Sequence, residues 1–370
     1  MMTTMTDTHR HGNSLPSTIA GCPTSPNFLW SLVGSVHFMR LSLKKGAHAV
    51  LSRAANRKFG ASRSFFARCG IPRPSTLLHL PGLTSKRLAS LACEALIAEA
   101  ELTPKPGLVD RRGSGAHHDL SLARMRQSAT AIEPYFAAMA SCSQGQHIDC
   151  NLRSELATIG RNAERAMYQA TQGSNSHKGA IWILGLLVAA AIRVPGENAR
   201  EIAATAGAIA RLPDRAQPKL ITHGDVVRNR YGAGGARWEA SRNFPHVIHC
   251  GLPMLRDRRA EKLPEEVCRL DALLSLMANL EDTCVLYRGG VEALCVVKAG
   301  ARAVLDAGGY SSTHGRQRMR ELDRELIARH VSPGGSADLL AATIFLDAMK
   351  YQQTEVLQDQ RKAEERDGAA

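Results

Sequence analysis

Five polar, glycine-bearing loops hold most of the side chains able to do chemistry in this chain of 370 residues. They read TPKPGLVDRRGSGAHHD at 103–119, ATQGSNSHKGAIW at 170–182, YGAGGARWEASRNFP at 231–245, LEDTCVLYRGG at 280–290 and VSPGGSADLLA at 331–341. The first four set Lys, Arg, His or acidic residues beside glycines, and the fifth contributes Asp338. Such loops at helix ends can gather round a polar ligand with backbone amides exposed. Lys105, Arg111, Arg112, His177, Lys178, Arg237 and Arg288 are cationic or titratable groups suited to a polyphosphate. Arg offers a planar fork of donors and Lys a compact charge. Ser176 and Lys178 lie in the run GSNSHKG at 173–179, directly before an apolar segment. A helix starting there would add its N-terminal amides to the attraction for phosphate. The run is not the GxxxxGK[ST] phosphate loop.

Carboxylates supply the counterpart. Asp110, Asp119, Glu164, Glu239, Asp282 and Asp338 lie in or beside these segments. Mg²⁺ bound with a polyphosphate needs only one or two carboxylates, and Glu239 and Asp282 are the preferred ligands because each sits in a dense polar loop. Asp282 could equally cap the turn beginning at Thr283. His177 and the pair His117–His118 are the histidines placed for proton transfer, and Trp238 offers a ring to stack on a base. Cys142, His147 and Cys150 are spaced for a metal, but nine cysteines without a CxxC pair read as inert core thiols in a reducing compartment.

These loops need helices to position them. Leu88, Leu91, Ala92, Ala95 and Leu96 recur at helical spacing, and Pro104 and Pro106 close that segment. Asp119 or Ser121 is placed to cap a helix through Met139, and another runs from about Leu152 to Thr171. Ala180–Ile192 is almost wholly apolar yet too short for a typical membrane span, so it reads as a central buried helix in which Gly185 permits close packing. Further helices are expected at 201–212, 270–280, 291–307, 322–327 and 337–349, the last capped by Ser336. Residues 213–262 read as a long irregular stretch. With 5% aromatics and no convincing run of alternating strands, the expected fold is all-α: a compact multi-helix domain over 86–352. A basic extension would precede it over 1–85 and a polar tail follow over 353–370.

The net charge of +13 suggests nucleic acid until it is divided by position. Residues 1–90 hold 12 Lys or Arg and a single acid, Asp7, whereas 91–370 hold 35 basic and 33 acidic residues. The body is nearly neutral, which argues against nucleic acid as partner. The extension reads as a transit-peptide-like segment or as the product of an upstream start codon, and less readily as a basic tail contacting nucleic acid or anionic lipid.

Taken together and in order, TPKPGLVDR at 103–111, GAHHD at 115–119, HKGAI at 177–181, GGARWEA at 234–240, EDT at 281–283, RGG at 288–290 and SPGGSADLLA at 332–341 resemble the triphosphoribosyl-dephospho-coenzyme A synthases. The resemblance spans about Glu94–Ala348. DRRGSGAH and GAIWILGLLVAAA look closer to the malonate decarboxylase branch than to the citrate lyase branch. It implies an all-helical cytoplasmic transferase. ATP is its substrate with Mg²⁺ as cofactor, and the ribose 2′-hydroxyl of 3′-dephospho-CoA attacks the anomeric carbon of ATP's ribose. Adenine leaves, the triphosphate is kept, and a separate transferase passes the product to an acyl carrier subunit. Carried across by motif, the resemblance implies that Lys105, Arg111, Ser176, Lys178, Arg237 and Arg288 bind the nucleotide. Glu239 and Asp282 would hold Mg²⁺, with His177, Asp110 and Glu239 as catalytic candidates. The chain departs from the family with Ser176 for a usual Thr, Trp238 for a usual Gly, Cys284 for a frequent Asn and Tyr287 for a frequent His. Two other functions suit the same loops: a Mg²⁺-dependent nucleotide phosphohydrolase, with water in place of the ribose hydroxyl, and a non-enzymatic nucleotide- or RNA-binding protein.

Overall fold

The structure is a computed structural model that describes residues 83–196, 198–216 and 222–367, with side chains as far as 350. The expected extension over 1–85 falls, apart from its last three positions, outside the described residues. Twelve α-helices and one π-helical turn follow in order among the described residues: α1 (Ser85–Glu101), α2 (Leu122–Ser143), α3 (Cys150–Ala170), α4 (Lys178–Ala191), α5 (Ala199–Ala210), α6 (His223–Tyr231), α7 (Gly235–Ser241), the π turn (Val247–Gly251), α8 (Leu252–Ala260), α9 (Glu265–Asn279), α10 (Thr283–Asp306), α11 (Thr313–Ala328) and α12 (Gly334–Asp367). The fold is all-α. An isolated bridge between Asp110 and Gly113 is the nearest approach to a sheet among the described residues.

The apolar run at 180–192 behaves as its composition dictates. Eleven of the fourteen α4 residues are buried, and the helix packs against α2, α3, α5 and α12. Each fully buried Leu or Ile contributes roughly 1.5–3 kcal/mol, so α4 anchors the core and fixes the position of its own N-terminus. Gly185 permits the close approach to α2, because a Cβ there would stand 2.5 Å from Met139 Sδ. Ser121 caps α2 by accepting from the Arg124 amide, and Asp149 caps α3 through the amides of Asn151 and Leu152.

Two expectations are corrected. The stretch 213–262 contains three short helices and the π turn, whose small size and polar sequence leave too little apolar period to read. Thr222 and Asp225 form a capping box at the start of α6, and Gly232, in the left-handed region, ends it. The last helix starts at Gly334 rather than Ala337, so Ser336 lies inside its first turn, and it continues beyond 352 to Asp367. No helix among the described residues is long and apolar enough to cross a membrane.

Candidate active site

The five loops converge on one cavity of about 950 Å³. Its walls come from α3, α4, α6, α7, α10 and α12 and from the loops preceding α2 and α4. One face of α3 lines it through Arg153, Ala157, Gly160, Arg161, Glu164 and Tyr168, at the three- and four-residue spacing of a helix.

The inner end of the cavity is built round the start of α4. His177 precedes this helix and is only 2% exposed. Its Nδ1 lies 2.8 Å from Ser128 Oγ, and the Ser176 hydroxyl donates to the same oxygen at 2.7 Å. With one proton arriving from Ser176, the Ser128 proton is free to point at Nδ1, which leaves the ring proton on Nε2. That Nε2 is buried and has no partner, and His177 lines the cavity. Burial, with the nearby Lys105 charge adding to it, pushes the imidazole down to about 3. Burial thus favours the neutral ring at physiological pH, with an N–H at Nε2 free to donate to a ligand.

Lys105 is corrected. It is 1% exposed, and its Nζ donates to Glu99 Oε1 at 2.5 Å and to the Glu99 carbonyl at 2.7 Å. It lines the cavity as half of a buried ion pair rather than as an open phosphate clamp. Asp338, on the first turns of α12, differs from the carboxylates around it. Glu99, Glu164, Asp214 and Glu239 each pair with Lys, Arg or His. No ion pair is formed by Asp338 among the described residues, and the Ala180 amide at the start of α4 is directed at it. Burial, with Glu99 and Asp282 nearby, raises its carboxyl well above the usual range. A Cβ at Gly179 would collide with Asp338 Oδ2, so the glycine lets that carboxylate lie against the start of α4. The HKG and SADLL motifs are thus two halves of one contact.

The remaining wall is cationic. Lys178 pairs with Glu164 at 3.1 Å, and Arg237 lies 4.0 Å from Asp225. Arg288 donates to His117 Nδ1 at 3.3 Å. Burial, with the Arg288 charge adding to it, pushes His117 down to about 4. Ser176, Lys178, Arg237, Arg288 and Glu239 all line the cavity. Both Glu239 oxygens already accept from His246, one from its amide and one from Nδ1, each at 2.8 Å.

Three expected site residues lie elsewhere. The Asp110 carboxylate accepts from the amides of Lys105 and Arg112 and from the Arg112 guanidinium, which itself reaches Asp323 on α11 at 2.6 Å. It braces the 103–113 loop. Arg111 points outward to Glu101 at 3.2 Å and Glu266 at 3.9 Å. Asp282 is 1% exposed and caps α10 through the Cys284 and Val285 amides. It also accepts from the Gly335 and Ser336 amides and the Ser336 hydroxyl at the start of α12. It is a clamp joining two helix N-termini, with its oxygens occupied. No group of three or more His, Cys, Asp or Glu gathers as a metal-ligand set among the described residues. Cys142 donates to Glu155, and burial pushes its thiol up to about 12.

Of the departures, Trp238 is 44% exposed and absent from the cavity wall, so its ring does not narrow the site. The tryptophan that does line it is Trp182. Tyr287 stacks on His223 with ring centroids 4.0 Å apart, and both face the cavity. Arg153, Arg161 and Trp182 were not singled out by sequence, because single polar residues on amphipathic helices read as solvated.

An all-helical fold whose loops line one cavity rich in Arg and Lys side chains is suited to an anionic ligand such as a nucleotide. Residues 85–356 match the model of the family described as CitG, ATP:dephospho-CoA triphosphoribosyl transferase. The chain belongs to this family. It is 54% identical over 264 residues to a Pseudomonas paraeruginosa protein named "Probable 2-(5''-triphosphoribosyl)-3'-dephosphocoenzyme-A synthase", covering 71% of this chain and 90% of that one. Proteins of the same name from Stutzerimonas stutzeri and Azotobacter vinelandii are 52% and 51% identical. Those matches cover 72% and 76% of this chain and 92% and 94% of theirs.

Proposed function

We propose that this chain transfers the 5-triphosphoribosyl group of ATP to the ribose 2′-hydroxyl of 3′-dephospho-CoA and releases adenine. The observation that carries the reading is Asp338, a cavity-lining carboxylate without a cation partner among the described residues, beside the neutral donor His177 and below a cationic wall. The 2′-hydroxyl oxygen forms a bond to the anomeric carbon of ATP as the bond from that carbon to adenine N9 breaks. The hydroxyl proton goes to Asp338, whose raised affinity for protons makes it an effective base. The same carboxylate favours the positive charge that develops on the ribose. His177 Nε2–H hydrogen-bonds the electron pair accumulating on the departing base without giving up its proton, and adenine is protonated from solvent.

Mg²⁺ fits this cavity as a companion of the triphosphate rather than as a protein-built metal centre. Glu239 and Asp282 have their oxygens engaged. Glu281, a lining carboxylate with no ion pair among the described residues, is the residue suited to meet it. The ion would supply charge neutralisation on the phosphates. On the residues of the 110–117 and 179–191 segments, we assign the product to the acyl carrier subunit of a malonate decarboxylase, delivered by a separate transferase.

Chromatography of the reaction tests the transfer. Free adenine is expected only when ATP, Mg²⁺ and dephospho-CoA are all present. Release of phosphate or pyrophosphate with ATP alone would overturn the transfer in favour of a phosphohydrolase. Salt-sensitive RNA binding with no turnover would favour the binding protein.

Gly179→Ala is expected to lower this adenine release by about a hundredfold, since displacement of a reacting group by about 1 Å costs that much. Its sign is distinctive, because Ala in place of Gly ordinarily favours a helix by about 1 kcal/mol. Thermal unfolding beside the rate assay separates the two effects. Unchanged turnover would mean that Asp338 has no need of its position against α4.

A further inference from the structure

Arg153 is 6% exposed, and its guanidinium forms no hydrogen bond or ion pair with the described residues. Its Nε is buried and unpartnered. The guanidinium carbon lies 4.6 Å from the centroid of the Trp182 ring, and the Trp182 Nε1 is likewise buried without a partner. Arg237 approaches the same ring at 5.9 Å. Arg161 lines this part of the cavity as well, but it is neutralised by Asp214 at 2.7 Å. Burial, with the Arg237 and Arg161 charges adding to it, lowers the proton affinity of Arg153 against the opposing field of Asp214. Contact with the ring face compensates part of the charge, but it satisfies none of the N–H donors in the guanidinium plane. A buried cation and two orphaned donors are costly to fold, and their placement on a cavity wall points outward from the protein to a ligand that completes them.

We infer that Arg153, Trp182 and Arg237, with Arg161 behind them, form a subsite for a phosphoanhydride chain. This rests on the proposed transfer for the identity of the nucleotides and deepens it by naming where a chain of phosphates sits. Forked guanidinium donors match paired phosphate oxygens, and the indole N–H supplies a further in-plane donor. Two substrates of the transfer carry such a chain, the triphosphate of ATP and the pyrophosphate of dephospho-CoA. The chemistry is the same for both.

Isothermal titration of the full-length chain with inorganic tripolyphosphate, inorganic pyrophosphate, ATP and dephospho-CoA tests the subsite. The wild-type protein is expected to bind tripolyphosphate, and Arg153→Met to weaken that binding by at least about tenfold, the effect of losing one charge-assisted contact. Arg153→Met should also keep or raise the thermal midpoint of the ligand-free protein, because it removes an unpaired buried charge. A residue with a merely structural role would lower it. Whichever of ATP or dephospho-CoA loses affinity in the variant identifies the occupant. Trp182→Phe keeps an aromatic face under Arg153, although a smaller one, and removes the N–H, so it should weaken tripolyphosphate binding even if Arg153→Met fails to fold. The subsite is overturned if wild type binds no polyphosphate, if both folded variants bind as wild type does, or if Arg153→Met only loses stability and Trp182→Phe binds normally. Polyphosphate binding in a protein that never releases adenine would refute the transfer and leave the subsite standing.

Discussion

Asp338→Asn is expected to reduce turnover by about 10²- to 10⁴-fold, the usual worth of a positioned general base, while the affinity for dephospho-CoA changes little. The substitution preserves shape and the contact with the start of α4 but cannot accept the hydroxyl proton. The pH dependence gives a second readout. A base works in its ionised form, and burial raises the Asp338 carboxyl well above the usual carboxylate range. Wild-type turnover should therefore fall as pH drops through that raised value and level off above it, and this limb should vanish in the variant. The stability effect has the opposite sense. Because the folded chain holds this proton more tightly than the unfolded chain, ionisation costs stability as pH rises above the unfolded value. Asp338→Asn removes that cost, so its midpoint at neutral pH should equal or exceed the wild-type one. Wild-type turnover in the variant would eliminate Asp338 as the base.

Asp282→Asn is expected to destabilise the fold by about 2–4 kcal/mol, the order for losing charge-assisted hydrogen bonds at two helix caps. An amide keeps one acceptor oxygen and turns a donor towards the others. The donors from Cys284, Gly335 and Ser336 cannot all be satisfied. Urea unfolding reads the loss, and an Mg²⁺ titration of the residual activity should give the wild-type half-saturation. The reverse pattern, an unchanged unfolding midpoint with a raised Mg²⁺ half-saturation, would make Asp282 a metal ligand rather than a clamp.

Asp282 also shows where a sequence stops being informative. Its residue type and position before Thr283 are compatible with a cap or a ligand, and the choice depends on Gly335 and Ser336, more than fifty residues further along the chain. The same holds for Lys105, whose partner Glu99 lies on a helix that periodicity identifies but whose burial it does not. Local signals were sufficient where local physics dominates. The apolar run of α4 announces a buried helix, and GSNSHKG before it places Ser176, His177 and Lys178 at its start. Arg153 and Trp182 escape such reading because each is a single polar or aromatic position on a helix, and only the packing of α3 against α4 turns them towards one cavity. The cationic loops do line one cavity, but the buried environment decides which of their charges are free.

Mass spectrometry of the product formed from ATP, Mg²⁺ and dephospho-CoA bears most directly on the proposed transfer. The expected product is dephospho-CoA carrying an added ribose with all three phosphates, formed in equal amount with free adenine. Cleaved nucleotide with dephospho-CoA left at its original mass would contradict it.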